Sequence, residues 1–398
     1  MSRTTLVFDP FSAAFAEDPY ELYRKLRDDA PVYYNTEHRF WALTRFDDCQ
    51  AAARNWRTFK TEPGVELDDW GKLLRVNSFL NLDPPRHDEL RNVVRKHFSP
   101  AQTKLIETRT RAVAADLLTP VRQRGSGDLA QEFAWPLPVR VSAALLGLPR
   151  EDDAQLNELL RTLVLREPGQ LALPDASFRA AAELRGYFER RAGQRPSGGE
   201  SDLLDTLVGA HRQAVITMEE VVDLCCLLFI AAIDTVASII LNALVQLERH
   251  PDQRNWLAQD RSRMPSAVEE LLRYEPPAQY MARTTTHDVL LHGNTIPSGE
   301  RVLLVFAAAN RDERHFPDPD RLDVRREPRR SLVFGDGIKF CLGAPLARLE
   351  AAVALELVLA WLPEYEVIEL RRSPAGPVRG IDRLIATCSG ASTTPHVG

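Results

Sequence analysis

One cysteine in an unusual loop is the most chemically telling feature of this sequence. Cys341 lies in the run Phe334-Gly335-Asp336-Gly337-Ile338-Lys339-Phe340-Cys341-Leu342-Gly343-Ala344-Pro345, which leads into an apolar segment predicted to be helical from Leu346 to Leu362. Glycine lets the backbone take positive φ and approach a flat ligand closely. A cysteine at the start of a helix meets free amides and the positive end of the helix dipole, and both favour the thiolate. As an axial ligand, a thiolate pushes electron density onto haem iron and favours O–O cleavage. A small buried cysteine is the commoner meaning of such a residue, but the glycine spacing and the aromatic Phe334 favour the ligand.

The long segment from about Met218 to His250 could add proton chemistry. Thr217 and Glu220 form a capping-box pattern at its start, and Pro251 marks its end. Inside it, Ala231-Ala232-Ile233-Asp234-Thr235-Val236 places an acid and a hydroxyl in apolar surroundings, which is costly unless both are satisfied. The plain alternative for Thr235 is a hydrogen bond back to the carbonyl four residues earlier, with Asp234 paired elsewhere. Further on, Glu270-Leu271-Leu272-Arg273 puts opposite charges at i,i+3, where side chains on a helix meet.

Helical patterning dominates the elements that must hold these residues. Pro19 to Asp29 and Thr103 to Val121 read as amphipathic helices, and Ser266-Ala267-Val268-Glu269 reads as a capping box opening a short helix that Pro276-Pro277 stops. Strand-like segments are Val32 to Thr44, Val289 to Ile296 and Val302 to Phe306. Gly193 to Gly199 has the composition of a surface loop, with no shift in composition across it. A mainly α protein with a small β portion, forming one large domain over residues 1–398, is expected.

Composition narrows the function. The 398 residues carry a formal net charge of −6, and this mild acidity argues against a nucleic-acid partner. Five cysteines, with no CxxC spacing, argue against a disulfide framework or a zinc site, and the lack of CxxCH excludes covalent c-type haem attachment. Cys225 and Cys226, in an apolar helical run, read as small core residues. Met1 to Asp18 has no basic-then-apolar signal pattern. Leu224 to Leu247 is long enough to cross a bilayer, but Asp234, Thr235, Ser238 and Asn242 inside it favour a buried core helix. A cytoplasmic protein without a membrane segment is expected.

The cysteine loop resembles the haem-binding signature of cytochrome P450 enzymes, Phe-Gly-x-Gly-x-(His/Arg)-x-Cys-x-Gly, and departs from it only at Lys339. The resemblance extends from Asp18 to Ile385 and identifies the chain with the soluble bacterial members. It implies the P450 fold, haem b held by Cys341, and a loop 334–343 in which Phe334 and Gly343 flank the haem. Ala231 to Val236 resembles (Ala/Gly)-Gly-x-(Asp/Glu)-Thr-Thr, with Ala232 and Val236 as departures; Thr235 would then stabilise dioxygen and Asp234 feed protons. Glu270-x-x-Arg273 and Pro319-Asp320-Arg321-Leu322 resemble elements that join Glu270, Arg273 and Arg321 in a structural charge network. His87 and Arg91, in Asp83 to Arg91, together with Arg283 and Lys339, would neutralise the haem propionates.

The same resemblance implies a monooxygenase that inserts one oxygen atom from O2 into a small hydrophobic or aromatic molecule. Electrons would come from a ferredoxin and its reductase supplied in trans, with Arg91, Arg95 and Lys96 as a docking patch. The implied pocket comprises Val65 to Phe79, Leu160 to Leu173, Ala278 to Ala282 and Val378 to Ile381, with Trp70, Phe79, Ala231, Val236, Tyr280 and Met281 as contacts. Trp56 to Phe59, Gly64-Val65 and Arg283 to Thr286 resemble members that oxidise substituted benzoates; a tailoring enzyme of secondary metabolism suits the pattern equally. The rival expectations are a peroxide-driven peroxygenase, against which the acid–threonine pair weighs, and a non-catalytic haem-binding or sensor protein.

Overall fold

The computed structural model describes residues 6–67, 78–167, 169–170, 172–195, 202–327, 329–374 and 376–388. Trp70 and residues 196–199 of the expected loop lie outside them. Helices make up more than half of the chain and strands about an eighth, in one domain, as the patterning predicts.

The helix Met218–Arg249 organises the packing. Its capping box is complete: the Glu220 amide donates to Thr217 Oγ1 at 3.1 Å and the Thr217 amide donates to Glu220 Oε2 at 2.8 Å. The helix is apolar on nearly every side and packs against the helices Pro136–Leu145, Asp175–Gly193 and Ala344–Trp361. It is also long and apolar enough to cross a membrane, but 72% of its most apolar window is buried inside the protein, as expected of a core helix. Pro251 both ends it and opens the next helix, Pro251–Ala258.

The β portion is larger than the sequence pattern indicates. Val32 to Thr44 forms a hairpin of Val32–Asn35 and Phe40–Leu43, and Val289 to Ile296 another, of Val289–Leu291 and Asn294–Ile296. The first joins a five-stranded sheet in the order Val32–Asn35, Phe40–Leu43, Arg301–Leu304, Met281–Thr285, Phe59–Lys60. Within that sheet Trp41 pairs with Val302 in parallel, and Ala282 with Leu303 antiparallel. The strands Tyr365–Arg372 and Ile381–Cys388, absent from the sequence reading, form a three-stranded sheet with Ser126–Asp128. Glu366, Glu369, Arg371 and Arg372 on the first of them hide its strand character.

Two helix starts differ from expectation. Pro100–Arg124 begins three residues before Thr103, because Ser99 caps it by accepting the Gln102 amide at 3.3 Å and Pro100 fits the first turn. The capping box at Ser266 and Glu269 does not form. The helix is Met264–Tyr274, the Ser266 hydroxyl donates to the Arg263 carbonyl, and Glu269 is taken by Arg348.

Glu350, on Ala344–Trp361, is fully buried with neither carboxyl oxygen hydrogen-bonded, and burial pushes its pKa up to about 8. The fold therefore accommodates the neutral acid. That contribution to stability is complete below about 4.5, drains away as pH rises, and levels off above about 8. Relative to Glu350→Gln, the wild type is expected to lose roughly 2–3 kcal/mol of unfolding free energy between pH 6 and 8. Denaturant unfolding at each pH measures this; parallel curves for the two proteins would contradict it.

Candidate active site

The loop that carries Cys341 is closed by its own backbone and pinned to a neighbouring helix. The Cys341 amide donates to the Phe334 carbonyl at 2.9 Å, and the Gly335 amide to the Leu332 carbonyl at 2.9 Å. Gly337, at φ +68°, passes so close to the helix Phe46–Arg54 that a Cβ would lie 2.8 Å from the Ala53 carbonyl oxygen, so only glycine fits. Buried Asp336 accepts from its own loop at the Gly337 amide (2.6 Å) and from Arg54 Nε (3.0 Å).

Cys341 itself is accessible, and Gly343, two residues on, forms the N-cap of Ala344–Trp361. Desolvation raises the thiol pKa, opposed by the amides of Gly343 and Ala344 and by the charges of Arg91 and Arg348. The environment thus contains the groups that stabilise a thiolate once a cation binds the sulfur. Arg348 was not foreseen from sequence: it lies over the Phe334 ring at 4.4 Å and pairs with Glu269.

A buried charge network stands behind the loop. Arg273 donates to both oxygens of Glu270 (2.7 and 2.8 Å) and to the carbonyls of Asn310 and Pro319 (3.0 and 2.9 Å). Asn310 Oδ1 in turn accepts the Leu332 amide at 2.6 Å, which carries the network to the start of the cysteine loop. The expected third member, Arg321, is not in it. Arg321 is exposed and reaches Asp323, while Arg326 donates to Glu270 Oε1 at 3.1 Å and to the carbonyls of Pro317, Asp318 and Arg321. The chain turns after Pro319 so that its carbonyls, and not the Arg321 side chain, face inward.

Four cationic or titratable groups gather near the loop. His87 is buried; its Nδ1 lies 2.7 Å from Asp88 Oδ1, and its Nε2 has no hydrogen-bond partner. Burial, and then the charge of Lys339, lower its pKa. With its Nδ1 proton directed at Asp88, Nε2 donates only when the imidazolium forms, which an anionic neighbour favours. Arg283 is buried, donates to the Ala282 carbonyl at 2.7 Å, and has its pKa pushed down to about 10 by desolvation. Arg91 donates to the Phe340 carbonyl at 2.6 Å. Among the described residues neither arginine forms an ion pair with a carboxylate. Lys339 donates to the carbonyls of Phe79 (2.8 Å), Leu80 (3.4 Å) and Leu82, and desolvation lowers its pKa to about 7. An accessible cysteine, an orphaned buried imidazole nitrogen, and one buried and one half-buried arginine without carboxylate partners fit a planar group bearing two anionic arms.

On the long helix, one face opens where the rest is closed. Leu228, Ala231, Ala232 and Thr235, spaced i, i+3, i+4, i+7, keep accessible surface, as does Asp234 beside them, while Ile230, Ile233, Val236 and Ala237 are buried. Thr235 Oγ1 donates to the Ala231 carbonyl at 2.8 Å, the back-bond set out as the plain alternative. That bond commits the hydroxyl hydrogen and leaves the oxygen free to accept. Asp234 has its pKa pushed up to about 6 by desolvation, opposed by Arg166 and reinforced by Asp382. It lines a cavity of about 280 Å³ whose other walls include Glu66, Arg161, Arg166, Arg371 and Asp382.

The expected pocket contacts divide. Ala231 is accessible, whereas Phe79 is buried with its ring 6.4 Å from His87. Val236 is packed in the main core, and Tyr280 is buried in a separate core with Phe8, Tyr23 and Leu26, so neither is presented to an open pocket. Met281 is partly buried against the core beneath the five-stranded sheet. The cavity at Asp234 is charged, in contrast to the largely apolar lining expected: Glu66, Arg161 and Arg166 come from two of the expected segments, and Arg371 and Asp382 from outside them.

Comparison with known proteins agrees with this geometry. Residues 179–363 match the family Cytochrome P450. Cytochrome P450 130 of Mycobacterium tuberculosis is 36% identical, covering 92% of this chain and 95% of its own. Vitamin D(3) 25-hydroxylase of Pseudonocardia autotrophica is 36% identical, covering 95% and 96%. The crystal structure of CYP109E1 from Bacillus megaterium in complex with testosterone superposes with a TM-score of 0.85 at 29% identity, covering 94% of this chain and 99% of that one. The chain belongs to the cytochrome P450 family. It is a P450 monooxygenase, and family membership implies a haem iron cofactor.

The corrected network makes a discriminating prediction. Arg326→Ala is expected to cost roughly 1–3 kcal/mol, because it removes a charged donor from buried Glu270. Arg321→Ala is expected to stay within about 0.5 kcal/mol of wild type. Equal destabilisation in chemical unfolding would contradict the assignment.

Proposed function

We propose that this enzyme oxidises a small hydrophobic molecule, with Cys341 as the haem ligand and Asp234 and Thr235 as the proton-handling pair. The carrying observations are an accessible Cys341 supported by the amides of Gly343 and Ala344, and a long core helix on which Ala231, Asp234 and Thr235 keep accessible surface. Haem b would be held by Cys341 with Phe334 and Gly343, and its propionates would be met by His87, Arg91 and Arg283. When bound, the haem supplies the activation of dioxygen and the oxygen atom transferred. Thr235 accepts a hydrogen bond at the reacting position through the lone pairs that its bond to Ala231 leaves available. Asp234 takes protons from the charged cavity and passes them inward; a carboxyl with a pKa near 6 is matched to that task near neutral pH.

The names of two relatives, a vitamin D(3) 25-hydroxylase and a protein crystallised with testosterone, support a hydrophobic substrate. Electrons come from a ferredoxin and its reductase in trans, in a cytoplasmic setting. Arg95 and Lys96 are exposed for such docking, whereas Arg91 is turned towards the Phe340 carbonyl and contributes less.

The test is turnover with a surrogate ferredoxin, its reductase and NADH, using a substrate found by spin-state titration. Thr235→Ala is expected to keep consuming NADH while product per NADH falls at least about tenfold and hydrogen peroxide appears. Asp234→Asn is expected to slow oxygen consumption by about 10²-fold, the usual scale of a lost general acid. Because its acid form is depleted above about pH 6, wild-type turnover should fall as pH rises past that value, and the Asn variant should lack this limb. Efficient turnover by peroxide alone, with both variants unaffected, would favour the peroxygenase reading. Haem binding without turnover under any donor would favour a sensor.

A further inference from the structure

We infer that Lys339 is a clamp that positions the segment 79–82 and, through it, His87 and Arg91, and that it is not a propionate ligand. An ammonium has three N–H donors and no more. The side chain of Lys339 faces three carbonyls, those of Phe79 (2.8 Å), Leu80 (3.4 Å) and Leu82, so each of its protons has an acceptor within the protein.

The segment requires such a cation. The amides of Asn81 and Leu82 both turn back to the Ser78 carbonyl at 3.0 Å, and the following Pro84 and Pro85 have no N–H to offer. Among the described residues no backbone amide outside regular elements reaches the carbonyls of Phe79, Leu80 or Leu82. Unpaired backbone carbonyls at a partly buried turn are costly, and a charged donor is a strong remedy. A point-like ammonium suits a cluster of three carbonyls, whereas a planar guanidinium or imidazole does not. The other end of the segment is fixed independently: Asp83 accepts from the Thr61 amide and the Thr61 hydroxyl, each at 3.0 Å. The helix Arg86–Val94 follows directly, its His87 amide donating to the Asp83 carbonyl at 3.2 Å. Lys339, at the end of the turn Gly337–Lys339 two residues before Cys341, thereby ties the cysteine loop to the helix that carries His87 and Arg91.

The test is amide hydrogen exchange on the haem-loaded enzyme, comparing wild type with Lys339→Met. Exchange at residues 80–82 is expected to accelerate at least tenfold in the variant, with the amides of Met218–Arg249 unchanged as evidence that the fold is kept. Unchanged exchange at 80–82 would overturn the inference. If Lys339→Met does not fold, Lys339→Leu, which likewise has no side-chain N–H donor, gives the same readout. A second arm rests on the haem reading of the site: the same exchange comparison on the haem-free protein. A clamp predicts that Lys339→Met accelerates exchange at 80–82 whether or not haem is bound. Acceleration confined to the haem-loaded protein would assign Lys339 to a propionate and overturn the clamp. A wild-type protein that takes up no haem would instead sink the functional reading, and exchange at 80–82 would still decide the clamp.

Discussion

The constraint on which the proposed site depends is that Cys341 must be able to ionise to a thiolate although the protein around it desolvates the sulfur. Burial raises the Cys341 pKa, and two amides and two arginines act against it. The amides of Gly343 and Ala344 are at the sulfur because Cys341 lies two residues before the N-cap of a helix, whose first N–H groups have no partner within the helix. The arginines come from elsewhere: Arg91 from the helix Arg86–Val94, and Arg348 from one turn into the cysteine helix itself.

Holding that geometry occupies much of the surrounding protein. Glu270 and Arg273 satisfy each other and cap two carbonyls, and through Asn310 they reach Leu332 at the base of the loop. Asp336 secures the middle of the loop to the helix Phe46–Arg54, and Lys339 links its far end to residues 79–82. A buried charge that loses its partner is strongly destabilising. The network therefore acts on the site by keeping the loop in one conformation, with no direct part in the chemistry.

Much of this was legible in the sequence, because the most constrained positions have the fewest substitutes. The glycine loop, the Cys341 position and the long helix with its capping box could be read directly, since a close backbone approach or a reciprocal cap leaves a local pattern. Glu270 and Arg273 were readable for the same reason, being i,i+3 on one helix. Partners brought together by the fold were not: Arg326 replaced Arg321, and Arg348 claimed Glu269, which a local rule had assigned to capping. The pocket suffered most. Val236 and Tyr280 have the right residue types, but the direction in which a side chain points is set by packing, and both were claimed by the core. The strands Tyr365–Arg372 and Ile381–Cys388 were missed because one of them is strongly charged.

The central claim is ligation by the Cys341 thiolate, and the most direct measurement is the carbon monoxide difference spectrum of the dithionite-reduced protein beside Cys341→Ala. The account predicts the strongly red-shifted Soret band of a thiolate-ligated haem in the wild type and its loss in the variant. A wild type that binds haem without that band, or a variant that retains it, would contradict the assignment of the ligand.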